Sequence, residues 1–231
     1  MKLGLILGTG FALDGAEGLG SGRHRLQLGE CDVFAIHRQP NPVPPHRVDY
    51  VATMRAFLDH GVDALVTTTA CGSLTPDVPP GALVVPDDMV DLTGFAGSMI
   101  EDEIVHPPAN PPFDAGLRKA LREGFDVSDR ASEGTVVSIR GPRFATRAES
   151  QFYQRQGWSY INMTTAQETA LALESGVPVA VLGHVTDYDS GVPDIGDPSS
   201  IELIRERMKA GSVEFNRGFP DFARALAQYP G

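Results

Sequence analysis

The chain has 231 residues, 42% hydrophobic and 21% charged, with a formal net charge of −11. That length holds one domain with a full core, and the composition argues against disorder. No apolar run approaches the roughly 20 residues of a membrane span, and the negative balance argues against a nucleic-acid binder, whose affinity rests on Lys and Arg.

Leu3 to Leu7 is an apolar run read as a first strand, with Gly8-Thr9-Gly10 as a tight turn behind it. Such a turn lets the backbone approach a ligand closely. It has neither the P-loop lysine nor the dinucleotide spacing, so a plain strand-to-helix turn also accounts for it. Cys31 to His37 reads as another strand, and Arg38 to Arg47 as a proline-rich loop. Asp49 to His60 has helical spacing, closed by Gly61. Val62 to Val66 is a strand, and Thr67 to Ser73 is expected as a polar turn at its end, either a structural turn or a nest of donors for an anion. Cys31 and Cys71 make no disulfide framework and no CxxC pattern, and no cleavage signal precedes the first strand; a reduced, cytoplasmic setting is expected.

Pro79 to Gly81 is a turn, Ala82 to Val85 a strand, and Asp87 to Asp91 an acidic bend. The stretch 94–112, rich in Pro, Gly and acids and containing His106, reads as a surface loop or lid. Phe113 to Glu123 is an amphipathic helix and Gly134 to Ile139 a strand. Arg140 to Phe144 is a turn leading to a helix near Arg147 to Gln156. Tyr160 and Ile161 end a strand; Thr165 with Glu168 fits a capping box for the next helix, which Gly176 and Pro178 end. Val179 to Val185 is a buried strand with Asp187 and Asp189 just past it, and a last helix runs from about Ser199 to Leu226, interrupted near Gly218 and Pro220. Ile201, Ile204 and Met208 share one face of it, which ordinary core packing explains. His24, His46, His60 and His184 read as surface or packing residues.

Thr9, His37, Thr69, Phe144, Thr164 and Asp187 all end or follow a predicted strand. In one twisted sheet such loops converge on a single cleft.

The motifs GTG at Gly8, TTACGSL at Thr68, EGTVVSIRGPRFATRAES at Glu133, INMTTAQE at Ile161 and TDYD at Thr186 stand in order along most of the chain. Together they resemble the purine nucleoside phosphorylase family, in its methylthioadenosine phosphorylase branch. The resemblance implies a single α/β domain over residues 1–231, with a mixed central sheet flanked by helices. It implies phosphorolytic cleavage of the N-glycosidic bond of 5′-methylthioadenosine or a related 5′-modified adenosine. The products would be adenine and a ribose 1-phosphate derivative. By the same resemblance Thr9, His37, Thr69, Ala70 and Thr164 meet phosphate, and Met163 lies beneath the ribose. His106 serves the 5′ end of a neighbouring subunit's substrate in a homotrimer. Cys71, Gly72 and Phe144 wall the base pocket, and Asp187 and Asp189 face purine N7 and the 6-amino group. Asp187 is the general acid, which requires a raised pKa. Inorganic phosphate is a co-substrate, no metal or other cofactor is implied, and neither nucleic acid nor membrane is a partner.

Two positions bear on the base. The 6-oxopurine branch carries glutamate after GPxF and asparagine at the acid's position, where this chain has Ala145 and Asp187; a carboxylate accepts from a 6-amino group and repels a 6-oxo oxygen. The phosphate loop departs from the family: its ARHGRQH becomes AIHRQPN, so the arginine becomes Ile36 while His37 keeps its place. Arg38 is the candidate substitute, although a charge moved one residue along a strand is expected on the opposite face. The sequence also leaves open a nucleoside hydrolase using water in place of phosphate, a 6-oxopurine phosphorylase, and a relative that binds a nucleoside without cleaving it.

Overall fold

A computed structural model describes residues 1–39, 43–192 and 201–229. Its strands are β1 (Lys2–Leu7), β2 (Glu17–Gly20), β3 (Arg23–Leu28), β4 (Cys31–His37), β5 (Ala64–Ser73), β6 (Leu83–Val84), β7 (Asp88–Leu92), β8 (Thr135–Ile139), β9 (Tyr160–Asn162) and β10 (Val179–Tyr188). The helices are α1 (Tyr50–His60), α2 (Ala115–Gly124), α3 (Arg147–Arg155), α4 (Thr165–Glu174) and α5 (Ile201–Leu226). All ten strands lie in one mixed sheet of order β2-β3-β4-β1-β5-β9-β8-β7, with β10 paired to β5 and β6.

The β1 run LGLIL is apolar throughout because both faces of its strand are covered. Leu3, Leu5 and Leu7 join Leu117, Leu121, Phe215, Phe219 and Phe222 on the α2 and α5 side. Ile6 joins Tyr50, Met54, Phe57 and Leu171 on the α1 and α4 side. Side chains alternate along a strand, so one run feeds both cores. α1 begins at Asp49, whose side chain accepts from the Ala52 amide, and ends at Gly61 in the left-handed region.

Several expectations are corrected. Thr67 to Ser73 is no turn: β5 continues through it to Ser73, held on both sides by the long parallel β10 and by β9. The acidic bend at 87–91 is largely β7, an exposed edge strand whose charges suit an unpaired edge. The hairpin β2–β3 has no counterpart among the expected strands: β2 is exposed, β3 alternates between exposed and half-buried positions, and the two carry few apolar residues. α5 is unbroken at Gly218 and Pro220. Phe215, Phe219, Phe222 and Leu226 bury one face of it against the sheet, which outweighs the single hydrogen bond a proline removes. Its expected start at Ser199, and the side chain of Ile201, lie outside the described residues. No helix among the described residues is long and apolar enough to cross a membrane.

Candidate active site

The carboxyl ends of the parallel strands β5 and β10 lie side by side, and the short β9 crosses beside them, antiparallel to β5. Asp187 is the register partner of Gly72, and Gly72 pairs on its other side with Ile161. A Cβ at Gly72 would stand 3.0 Å from Ile161 Cγ2 and 3.7 Å from Asp189 Cβ, so glycine allows the three strand ends to close. A register shift between Val185 and Asp187 re-aims the end of β10. Asp187, expected past the strand, lies within it.

Thr186 Oγ1 donates to Asp187 Oδ1 at 2.7 Å, and Arg207 Nη1 from α5 donates to the Thr186 carbonyl at 2.6 Å. Burial pushes the Asp187 carboxyl up to about 6, with Asp189 adding to the rise and the Thr186 bond and Arg207 opposing it. Asp189 is buried, its pKa is raised chiefly by burial, and its Oδ2 has no hydrogen-bond partner. Buried Cys71 stands opposite Val185, and burial raises its thiol, which leaves a neutral wall. Ala145 is buried and its carbonyl accepts from Ser190 Oγ at 3.2 Å, which brings the 140–145 turn to the same end. Phe144, expected as a wall, is 59% exposed.

The hydroxyl cluster is organised by Asn162. Its Oδ1 accepts from Ser138 Oγ at 2.6 Å and its Nδ2 donates to Thr69 Oγ1 at 3.3 Å and to Thr165 Oγ1. Thr69 Oγ1 lies 3.0 Å from the Ala70 carbonyl. Thr164 stands at the N-cap of α4, makes no side-chain cap, and its Oγ1 is buried with no partner. The capping box expected at Thr165 and Glu168 is not formed, because Asn162 takes Thr165 and Arg38 takes Glu168. A capping box forms instead at Thr146 and Glu149, at the start of α3. Neither Asn162 nor Ser138 was among the expected site residues; the polar residue directly before Met163 was the available signal.

The end near β1 and β4 differs. The Gly8 amide donates to Thr68 Oγ1 at 2.8 Å, and a Cβ at Gly8 would fall 2.3 Å from the Thr68 carbonyl oxygen, so the turn is pinned to β5. Thr9 is exposed and donates to Gln39 Oε1 at 2.8 Å. His37 is half-buried with its ring 5.0 Å from that of His24, and burial, then His24, lowers its pKa. Arg38 is buried: its guanidinium grips Glu168 of α4 through both carboxylate oxygens, with Thr67 Oγ1 and the Thr68 carbonyl at 2.9 Å each. The expectation that Arg38 faces away from Ile36 is overturned. Two residues apart, both turn toward α1 and α4, where Ile36 packs with Tyr50 and Leu171.

Met163 is half-buried and lines a cavity of about 200 Å³ with Tyr50, Phe95, Arg140 and Gln167. His106 stands exposed on the loop between β7 and α2. A larger open groove of about 850 Å³ runs past Leu74, Arg130 and Trp158 and contains none of the expected site residues. No group of three or more His, Cys, Asp or Glu among the described residues is placed to hold a metal ion.

A sequence profile of the Phosphorylase superfamily matches residues 16–217. The S-methyl-5′-thioadenosine phosphorylase of Ciona intestinalis is 35% identical over 198 residues, 82% of this chain and 69% of its own length. That of Mycolicibacterium smegmatis is 35% identical over 202 residues, 86% of this chain and 74% of its own. The matched segment covers 59% of the relative from Caenorhabditis elegans. Among solved structures, variants of the adenosine/methylthioadenosine phosphorylase of Schistosoma mansoni are similar. One in complex with adenine has TM-score 0.86 at 25% identity, over 98% of this chain and 91% of that one. Another, in complex with methylthioadenosine, has TM-score 0.84 at 25% identity, over 98% and 92%.

Proposed function

This chain belongs to the Phosphorylase superfamily, in its methylthioadenosine phosphorylase branch, and from that premise we propose that it phosphorolyses 5′-methylthioadenosine or a related 5′-modified adenosine. Adenine leaves, and a ribose 1-phosphate derivative is the second product. The observation that carries this reading is Asp187, a carboxyl pushed up to about 6 at the meeting point of β5, β9 and β10.

As the glycosidic bond breaks, its electron pair passes to the purine. Protonated Asp187 gives its proton to N7, which neutralises the departing base, and a phosphate oxygen bonds to the sugar's anomeric carbon. The Asp187 carboxylate then regains a proton from solvent. The free Oδ2 of Asp189 suits acceptance from a 6-amino group, and Ala145 leaves the adjoining wall without a second charge. The unpartnered Thr164 hydroxyl at the start of α4 suits an anion, because helix N-termini favour negative charge. The reading needs no cofactor beyond inorganic phosphate. It carries with it a homotrimer in which exposed His106 serves a neighbouring copy, a cytoplasmic setting and a role in purine salvage.

One observation favours a second reading. With Ile36 in place of the family's arginine and Arg38 committed to Glu168, the phosphate end is short of cations, which suits a hydrolase that uses water. Adenine release from methylthioadenosine, measured with and without phosphate, separates the two. Phosphorolysis gives release that rises and saturates with phosphate; equal rates in both conditions establish hydrolysis.

A further inference from the structure

The cavity beside Met163 opens between the start of α1, the loop after β7, the end of β8 and α4. Val48, Tyr50, Phe95 and Met163 give it apolar walls, and His46, Thr93, Arg140 and Gln167 its polar ones. Gln167 is 5% exposed, and its Nε2 donates to the Met163 carbonyl at 3.0 Å. That bond sets the amide's orientation, since exchanging its ends would bring two acceptors face to face. Oε1 is thereby left buried without a partner. Native proteins leave few such atoms, and this one requires a donor.

Arg140 is exposed, and among the described residues nothing pairs with its guanidinium. Ser138 is the register partner of Asn162, and Arg140 and Thr164 each lie two residues beyond, at neighbouring strand ends. Gly141 keeps the passage clear: a Cβ there would fall 2.8 Å from Met163 Sδ. A free cation, a free buried acceptor and the Met163 side chain therefore adjoin one space.

We propose that this cavity is the sugar–phosphate part of the site, with Gln167 Oε1 accepting from a ribose hydroxyl and Arg140 supplying the cation for phosphate. The assignment rests on the phosphorolytic reading and supplies a cation that neither Ile36 nor the Glu168-bound Arg38 offers. Arg140 and Gln167 are binding residues in it, distinct from the proton chemistry of Asp187.

The test compares the full chain with its Arg140→Ala, Arg140→Lys and Gln167→Leu variants, varying phosphate and methylthioadenosine separately. Arg140→Ala is expected to raise KM for phosphate at least about tenfold with a smaller change in kcat, as loss of a charge-assisted bond implies, and Arg140→Lys to recover part of it. Gln167→Leu is expected to raise KM for the nucleoside about tenfold and leave that for phosphate nearly unchanged. Values within twofold of the parent for both Arg140→Ala and Gln167→Leu overturn the assignment. Calorimetry with inorganic phosphate alone separates this from failure of the phosphorolytic reading. If the parent chain releases no adenine, tenfold weaker phosphate binding in Arg140→Ala still supports the site. Equal binding, or no phosphate binding by the parent, overturns it.

Discussion

At the β10 end of the cleft, Asp187 and Asp189 are largely withdrawn from water and no cation is bonded to either carboxylate among the described residues. At the β4 end, Arg38 is withdrawn further, and every hydrogen bond of its guanidinium goes to Glu168, Thr67 or the Thr68 carbonyl. Both ends bury charge, but only one leaves it available. A buried ion with its hydrogen bonds satisfied ties elements together: here it joins the end of β4 to β5 and α4. A buried carboxyl without a counter-ion keeps its proton longer and can hand it on. On the proposed reading, the difference separates architecture from chemistry among charged residues that all follow or end a strand.

The sharpest test is Asp187→Asn. Loss of a general acid is expected to lower kcat/KM for methylthioadenosine by about 10² to 10⁴, read from adenine release. A loss below tenfold would put Asp187 on the structural side of the comparison.

Breaking the other end acts on stability. Arg38→Ala leaves Glu168 buried and unpaired, and urea unfolding is expected to show a loss of about 3–5 kcal/mol. Arg38→Met combined with Glu168→Leu removes both charges and is expected to recover most of that loss, with KM for phosphate close to the parent value. If Arg38→Ala instead raised the phosphate KM and left stability unchanged, the two ends would be alike.

A smaller effect concerns pH. The Asp187 carboxyl is raised to about 6 in the folded chain, from the ordinary carboxylate range. Its contribution to stability is therefore present at low pH and lost as pH rises from about 4 to about 6. Asp187→Asn is free of that loss. It is expected to match the parent below pH 4 and to exceed it by roughly 2–3 kcal/mol above pH 6, in paired unfolding curves. Activity of the parent is expected to fall about tenfold per unit above pH 6, because the protonated acid becomes scarce.

The chain's local signals carried most of the elements. β4 spans Cys31–His37 as read, α1 follows its Asp49 cap and Gly61 stop, and α4 and β10 begin where expected. These depend on neighbours in sequence: apolar alternation, caps and glycine punctuation. The grouping of Gly72, Asp187 and Asp189 was legible only through the family resemblance, and the structure brings the three together at the ends of β5 and β10. What the sequence could not display were partnerships between one element and another. Thr165 and Glu168 have the spacing of a capping box, yet Asn162 and Arg38, distant or on another element, claim them first. Pro220 and Thr67 read as breaks, yet burial of α5 and pairing with β10 carried the elements through. Type, order and chemical character of the residues are properties of the chain itself; which polar groups stay free is decided only when folding has assigned partners to the others, because a hydrogen bond or ion pair between separate elements has no local mark.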